Sequence, residues 1–497
     1  MSKDFDGKTP NSNLENAQNS QGDEVSLLSV LQTNDKIPFH MPGHKRNDKF
    51  GYLLGTEKID VTEIDGTDNL HDANGVLKSA MEFAAGVYGV KETRFLVNGS
   101  TCGILAGMRT LAKRGDTVLV ARNCHKSVYN AVELLGLVSE YIMPEFLEEY
   151  GIYASIAPNT VDELLSKTGA KLVVITSPTY EGILSDVKAI SDVCHTHGAT
   201  LFVDEAHGAH LGLDSHFEKS ARELGADLVV NSLHKTMPSL TQTAVIHVCS
   251  DRVDIRRLEE SLAIFETSSP SYVLMSSIDE CVRYTKHNPE MLYKWAMRVF
   301  ALRDELSRFD NVKLLSREIL SAEDSARVFK IDETKLVFLL GDSSLTGVEF
   351  SDKLQDAFGI ELEMAAKDYA IAMTGAGDTK EMYSALSAAV GEIDKSAKPS
   401  GASGRRMMNA NFAVLPQKAF NQYQIDGLSV EPVNMLDSIG RVSAENVWAY
   451  PPGAPILVKG EIMSKDTAEL LVELLRCGVN LSSSLRDFPD RIFVVKE

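Results

Sequence analysis

From about residue 76 to 250, short apolar runs suited to strands alternate with stretches suited to helices, and this alternation constrains the fold of the 497-residue chain more than any other feature. The runs 93–97, 117–121, 171–176, 199–203, 226–230 and 243–248 predict strands, and 76–88, 101–113, 126–136, 161–167 and 187–197 predict helices. Strands joined through helices form crossovers, so the expected fold class is α/β with a doubly wound, mostly parallel sheet. Ligands of such sheets bind beyond the carboxyl ends of the strands. The turns that follow the apolar runs are therefore the places to look for chemistry.

The flanks read differently. Residues 1–23 are polar and poor in large apolar groups, as in a disordered tail, and 24–75 form an irregular arm with Pro38, Pro42 and Gly43. The large domain is expected over 76–310, ending in a long amphipathic helix at 290–310, and a small α/β domain over 311–397. A Pro/Gly/Ser linker at 398–405 then leads to a C-terminal module at 406–497.

A net charge of −20 argues against nucleic acid or an anionic membrane as the partner and suits cationic small molecules. No apolar run reaches the roughly 18 residues of a membrane span, the start lacks a signal-like apolar core, and the six cysteines form no CxxC pair. Together these predict a cytoplasmic protein without a zinc site or disulfide framework.

Two turns carry the strongest chemical signal. Asp204 follows the run 199–203, and Lys235 lies 31 residues later, just beyond the run 226–230. A lysine and a carboxylate converging on one sheet edge is what pyridoxal 5′-phosphate (PLP) requires, the amine for its aldehyde and the acid for its pyridine nitrogen. Ser232 and His234 flank the lysine as potential hydrogen-bond donors to a phosphate. Asn98-Gly99-Ser100-Thr101 opens a helix of small residues after the run 93–97, a natural phosphate cradle. His125, after the run 117–121, is placed to stack on a planar ring. Each residue also has a structural reading: Asp204 as a turn cap, Ser100 and Thr101 as helix caps, His125 as a helix-start residue, and Glu205 as a scaffold group.

Two other motif readings compete. DEAH at 204–207 spells an ATPase acidic box, but the only Gly-Lys-Thr lies at 7–9 in the polar tail and lacks the preceding glycine. Asp204, His207 and His210 are acceptable metal ligands, yet no further ligand is evident, so no metal is expected.

Taken in order, FHMPGHK (39–45), DVTEIDGTDNLH (60–71), NGST (98–101), RNCHKS (122–127), TSPTYEG (176–182), DEAH (204–207), SLHK (232–235) and YPPG (450–453) resemble the Orn/Lys/Arg decarboxylase family in its short form without a wing domain. The resemblance implies an aspartate-aminotransferase-like fold type I, PLP as cofactor, a basic amino acid as substrate, and a homodimer or dimer-based oligomer with active sites at the interface. It also implies Lys235 as the PLP lysine, Asp204 as the pyridine-nitrogen partner and His125 as the stacking group. Ser100, Thr101, Ser232 and His234 would hold the phosphate, and His207 would approach the ring hydroxyl. TSSPS at 267–271 resembles the segment that reaches the neighbouring subunit's phosphate. Lysine is slightly favoured over arginine and ornithine. An aminotransferase on the same scaffold and a non-catalytic PLP-binding relative are the alternatives.

Overall fold

The computed structural model describes residues 36–40, 43–45, 47, 56, 59–64, 66–341, 343–398, 415–449 and 453–496. The expected tail at 1–23, most of the 398–405 linker and Tyr450, Pro451 and Pro452 lie outside the described residues.

The alternation builds one seven-stranded sheet. Its strands are β1 (Glu92–Leu96), β2 (Thr117–Ala121), β3 (Val138–Ile142), β4 (Leu172–Thr176), β5 (Thr200–Asp204), β6 (Leu228–Asn231) and β7 (Ala244–Val248), in the order β1-β7-β6-β5-β4-β2-β3. β7 alone runs opposite to the other six strands. The Val/Ile/Leu-rich strands are buried along nearly their whole length, as a sheet covered on both faces requires. The helices that connect them are α1 (Val76–Tyr88), α2 (Gly99–Leu111), α3 (Lys126–Leu135), α4 (Pro158–Thr168) and α5 (Val187–Thr196).

The expected elements thus appear, with ends shifted by a few residues. β3 was not anticipated, because Val-Ser-Glu-Tyr-Ile is a half-buried edge strand whose apolar content is low. Two further helices fall in the unread stretch after 250, α6 (Ile255–Phe265) and α7 (Tyr272–His287), and the long helix α8 runs Glu290–Leu306.

Helix α2 lies close against the sheet because it has no side chain at Gly107. A Cβ there would stand 2.7 Å from the Phe202 ring and 2.9 Å from Leu228. That close approach seats the helix N-terminus at the carboxyl edge of β1.

A four-stranded antiparallel sheet follows, with β8 (Lys313–Leu314), β9 (Lys335–Leu339), β10 (Met364–Ala365) and β11 (Tyr369–Met373) in the order β8-β9-β11-β10. Helices α9 (Gly347–Phe358) and α10 (Lys380–Ser396) accompany it. The last part of the chain has its own core, in which Val447, Leu457, Met463, Leu471 and Ile492 pack around helix α11 (Lys465–Arg476). Among the described residues no helix is long and apolar enough to cross a membrane, and all six cysteines are free.

Candidate active site

β5 and β6 are parallel neighbours in which Val230 pairs with Asp204, so the turns after both strands open at one edge. Asp204, the last residue of β5, is buried, and one of its oxygens accepts the Ala206 N–H at 3.1 Å. The turn-cap role and a second role for the other oxygen are therefore compatible. Burial pushes the Asp204 carboxyl up while the nearby Lys235 pulls it down.

Lys235 sits in the single helical turn Leu233–Thr236, and its Nζ lies 2.8 Å from His207 Nε2. Burial lowers the Lys235 pKa, and Asp204 and Glu363 partly restore it. The other ring nitrogen of His207 is Nδ1. That Nδ1 is buried and has no partner. His207 is held well below its usual pKa by burial and by Lys235 and Lys335, and Tyr180 packs edge-on against it at 4.6 Å.

His125 caps α3. Its Nδ1 accepts the Ser127 N–H at 3.2 Å and lies 2.8 Å from Ser127 Oγ, which places the proton on Nε2. Burial, with Lys235 and Lys126 nearby, lowers its pKa to about 3, so the ring is neutral at pH 7. His234 donates from Nδ1 to the Thr243 carbonyl at 2.9 Å, and burial lowers its pKa to about 4.

Ser100 and Thr101 occupy the first turn of α2, which begins at Gly99 rather than at 101. Asn98 makes no side-chain cap; its Oδ1 accepts the Thr267 N–H at 3.2 Å instead. The first-turn amides are thus left without that cap, as an anion cradle needs. TSSPS therefore begins beside the α2 cradle of its own chain, where the Thr267 carbonyl also meets His71 Nε2 at 2.9 Å. The turn before β7 ties cradle and lysine together: Gln242 donates to the Val97 carbonyl at 2.5 Å, and Thr243 receives His234. Gln242 takes φ +82, which a non-glycine residue rarely adopts.

Ser232 Oγ, like His207 Nδ1, is buried without a partner. Buried polar atoms are rarely left so. A phosphate at Ser232 and a ring oxygen at His207 would satisfy both, so the residues fit PLP.

The neighbouring side chains of the DEAH turn have other partners. His210 does not join Asp204; it is enclosed by Phe217 and Trp295 and faces Asp332 at 3.4 Å. Among the described residues no group of three His, Cys, Asp or Glu side chains could hold a metal ion. Glu205 is a scaffold group, accepting from Ser220 Oγ at 2.6 Å, the Ala221 N–H at 2.7 Å and Asn231 Nδ2 at 3.1 Å.

Three contributions lie beyond the sequence reading. Lys335, at the start of β9, is fully buried with its Nζ 3.5 Å from the His207 carbonyl, and burial lowers its pKa to about 8. Tyr180 hydrogen-bonds Glu363, linking His207 to the small sheet. Gly43 of the arm donates its N–H to the His234 carbonyl at 2.6 Å, and a Cβ there would stand 2.5 Å from the Thr236 carbonyl carbon. The arm thus pins the lysine turn. A lysine inside an apolar strand and a glycine in an irregular arm carry no local signal of such roles.

Fold and site together define an aminotransferase-like α/β class, with a mostly parallel sheet presenting a lysine and a carboxylate at one edge. Residues 26–338 match the family model "Orn/Lys/Arg decarboxylase, major domain", and residues 404–489 match "Orn/Lys/Arg decarboxylase, C-terminal domain". The chain belongs to the Orn/Lys/Arg decarboxylase family. It is 29% identical to the arginine decarboxylase of Halalkalibacterium halodurans over 96% of this chain and 99% of the relative. The structure of the Escherichia coli constitutive lysine decarboxylase superposes with a TM-score of 0.74 at 20% identity, covering 90% of this chain and 77% of that one. An alanine–glyoxylate aminotransferase from Nostoc sp. superposes at 0.56 with 13% identity, covering 76% and 98%.

Proposed function

We propose that the chain is a PLP-dependent decarboxylase of a basic L-amino acid, releasing the corresponding amine and CO₂. The observation that carries the reading is Lys235 Nζ, held 2.8 Å from His207 beside buried Asp204, with unpartnered Ser232 Oγ and His207 Nδ1 at the same edge. Lys235 would hold the cofactor covalently, Asp204 would face its pyridine nitrogen and His125 its ring. Ser100, Thr101, Ser232 and His234 would take the phosphate, and His207 Nδ1 the ring oxygen. Bound there, the cofactor supplies the electron sink for loss of the carboxylate.

The protein's own part is geometry and proton placement. Burial lowers the Lys235 pKa and so favours the unprotonated, nucleophilic amine. His125, neutral with its pKa lowered to about 3, serves as a flat stacking face rather than an acid. Lys235 Nζ, on taking up the proton that the substrate ammonium gives up, would be the group to return a proton to the substrate Cα. The arginine name of a relative matching nearly the whole chain puts arginine ahead of lysine, the reverse of the order its sequence segments suggest.

The protein would act as a cytoplasmic homodimer with the site at its interface, each chain divided into a large domain at 76–310, a small domain at 311–397 and a C-terminal module at 406–497.

The test measures amine and CO₂ from arginine, lysine and ornithine, with and without PLP. PLP-dependent amine from one of them is expected, and Lys235→Ala should lose both turnover and the borohydride-reducible adduct at that position. A keto acid product would make the protein an aminotransferase. Bound PLP without any turnover would make it a non-catalytic relative.

A further inference from the structure

His125 stands in a short loop between β2 and α3, and the C-terminal part of the chain grips both ends of that loop. At the first end, Arg122 directs its guanidinium fork at Glu461, with Nη1–Oε1 at 2.7 Å and Nη2–Oε2 at 3.0 Å. Both side chains are almost wholly buried, at 4% and 1% exposure. Arg122 Nη2 also donates to the Ile456 carbonyl at 3.1 Å, and Glu461 accepts the Val458 N–H at 2.8 Å. At the other end, the Lys126 N–H donates to the Gly453 carbonyl at 2.9 Å, and the Lys126 ammonium lies 4.9 Å from the centre of the Trp448 ring. Two turns further along α3, Glu133 accepts from Lys459 at 2.6 Å. Trp448, Gly453, Ile456, Lys459 and Glu461 therefore hold positions 122, 126 and 133 on either side of His125.

A bidentate, desolvated Arg–Glu pair is rigid in direction as well as distance, because the planar fork must match the carboxylate. Stability alone does not call for such a pair, since apolar residues of similar volume commonly serve as well in a buried position. The pair instead fixes where β2 ends and hence where the next three residues point.

From this we infer that Glu461 is a positioning residue of the active site, acting through Arg122 on the His125 loop, so that docking of the C-terminal module sets the plane of the stacking imidazole. The inference rests on the proposed decarboxylase reading for its kinetic consequence, while its structural consequence can be read without turnover.

The test is Glu461→Gln in the full-length, PLP-loaded protein, followed by hydrogen exchange of the 122–128 peptide and by steady-state kinetics on the preferred amino acid. The expected result is roughly tenfold faster exchange at 122–128 with β2 and β5 still protected, and kcat lowered about tenfold with KM changed less than threefold. Unchanged exchange at 122–128, or faster exchange with wild-type kcat, would overturn the inference. Should Glu461→Gln lose protection throughout the sheet, the double variant Arg122→Met/Glu461→Met removes both charges and is read the same way. Wild-type protection and kcat in the double variant would overturn the inference. Should the wild-type protein itself release no amine, the decarboxylase reading falls, and exchange at 122–128 alone decides the positioning role.

Discussion

Lys335 illustrates how a single buried amine shapes the site. It lies behind His207 without a salt-bridge partner within 4 Å among the described residues, and burial lowers its pKa to about 8. Between pH 8 and 10.5 the folded chain has released this proton while the unfolded chain still holds it. The unfolded state thus binds more protons in that window, and stability rises with pH by up to about 3 kcal/mol before levelling off. Lys335→Met should lack this rise. The measurement is chemical unfolding of both proteins at pH 7.5 and 10, and equal pH responses would show that the amine is not held in this way. His207 makes a complementary case: its partnerless Nδ1 carries a cost that a hydrogen-bonding ligand would remove.

At the scale of elements, the site depends on how tightly α2 lies on the sheet, because the helix N-terminus forms one wall of the cleft. Gly107 permits that approach, facing Phe202 and Leu228 at distances too short for a methyl group. Gly107→Ala should therefore overpack the interface and cost about 1–3 kcal/mol, seen as a lower unfolding midpoint. Alanine is ordinarily the better helix former by up to about 1 kcal/mol, so a stabilised variant would mean that the helix has room after all. The lysine turn depends on a second element, the arm at 36–45, whose strand Ile37–Phe39 pairs in parallel with Ile360–Leu362 while Gly43 holds the turn. The arm thereby links the lysine turn to the strand Ile360–Leu362.

At the scale of the whole molecule, the Arg122–Glu461 pair joins the large sheet to the C-terminal core. Removing one partner leaves an uncompensated buried charge, so Glu461→Met or Arg122→Met alone should each cost about 3–5 kcal/mol, whereas the double Met variant should cost much less. Denaturant midpoints of the four proteins form a double-mutant cycle; additive losses would show that the two charges do not depend on each other. A cavity of about 590 Å³ lies beside this junction, lined by residues of the large sheet, the small sheet and the C-terminal core, including Arg122, Glu181, Glu363 and Ile456. Motion between these parts would therefore be felt close to His125.

Much of this protein was legible in its residue order. The alternation of apolar runs and helical stretches predicted the sheet, because side-chain periodicity is a local property that burial on both faces reinforces. The Asp204 and Lys235 turns were legible too, since parallel strands place their carboxyl ends at one edge whatever their order in the sheet. The antiparallel course of β7 and the edge strand β3 were not read, because each depends on which strand lies alongside. Lys335 approaching His207, Gly43 against Thr236 and Arg122 against Glu461 required the folded chain, the last joining residues 339 positions apart. Such partners share no local periodicity and acquire their meaning only when desolvation makes an unpaired charge or a misplaced methyl group costly, a condition set by tertiary packing alone.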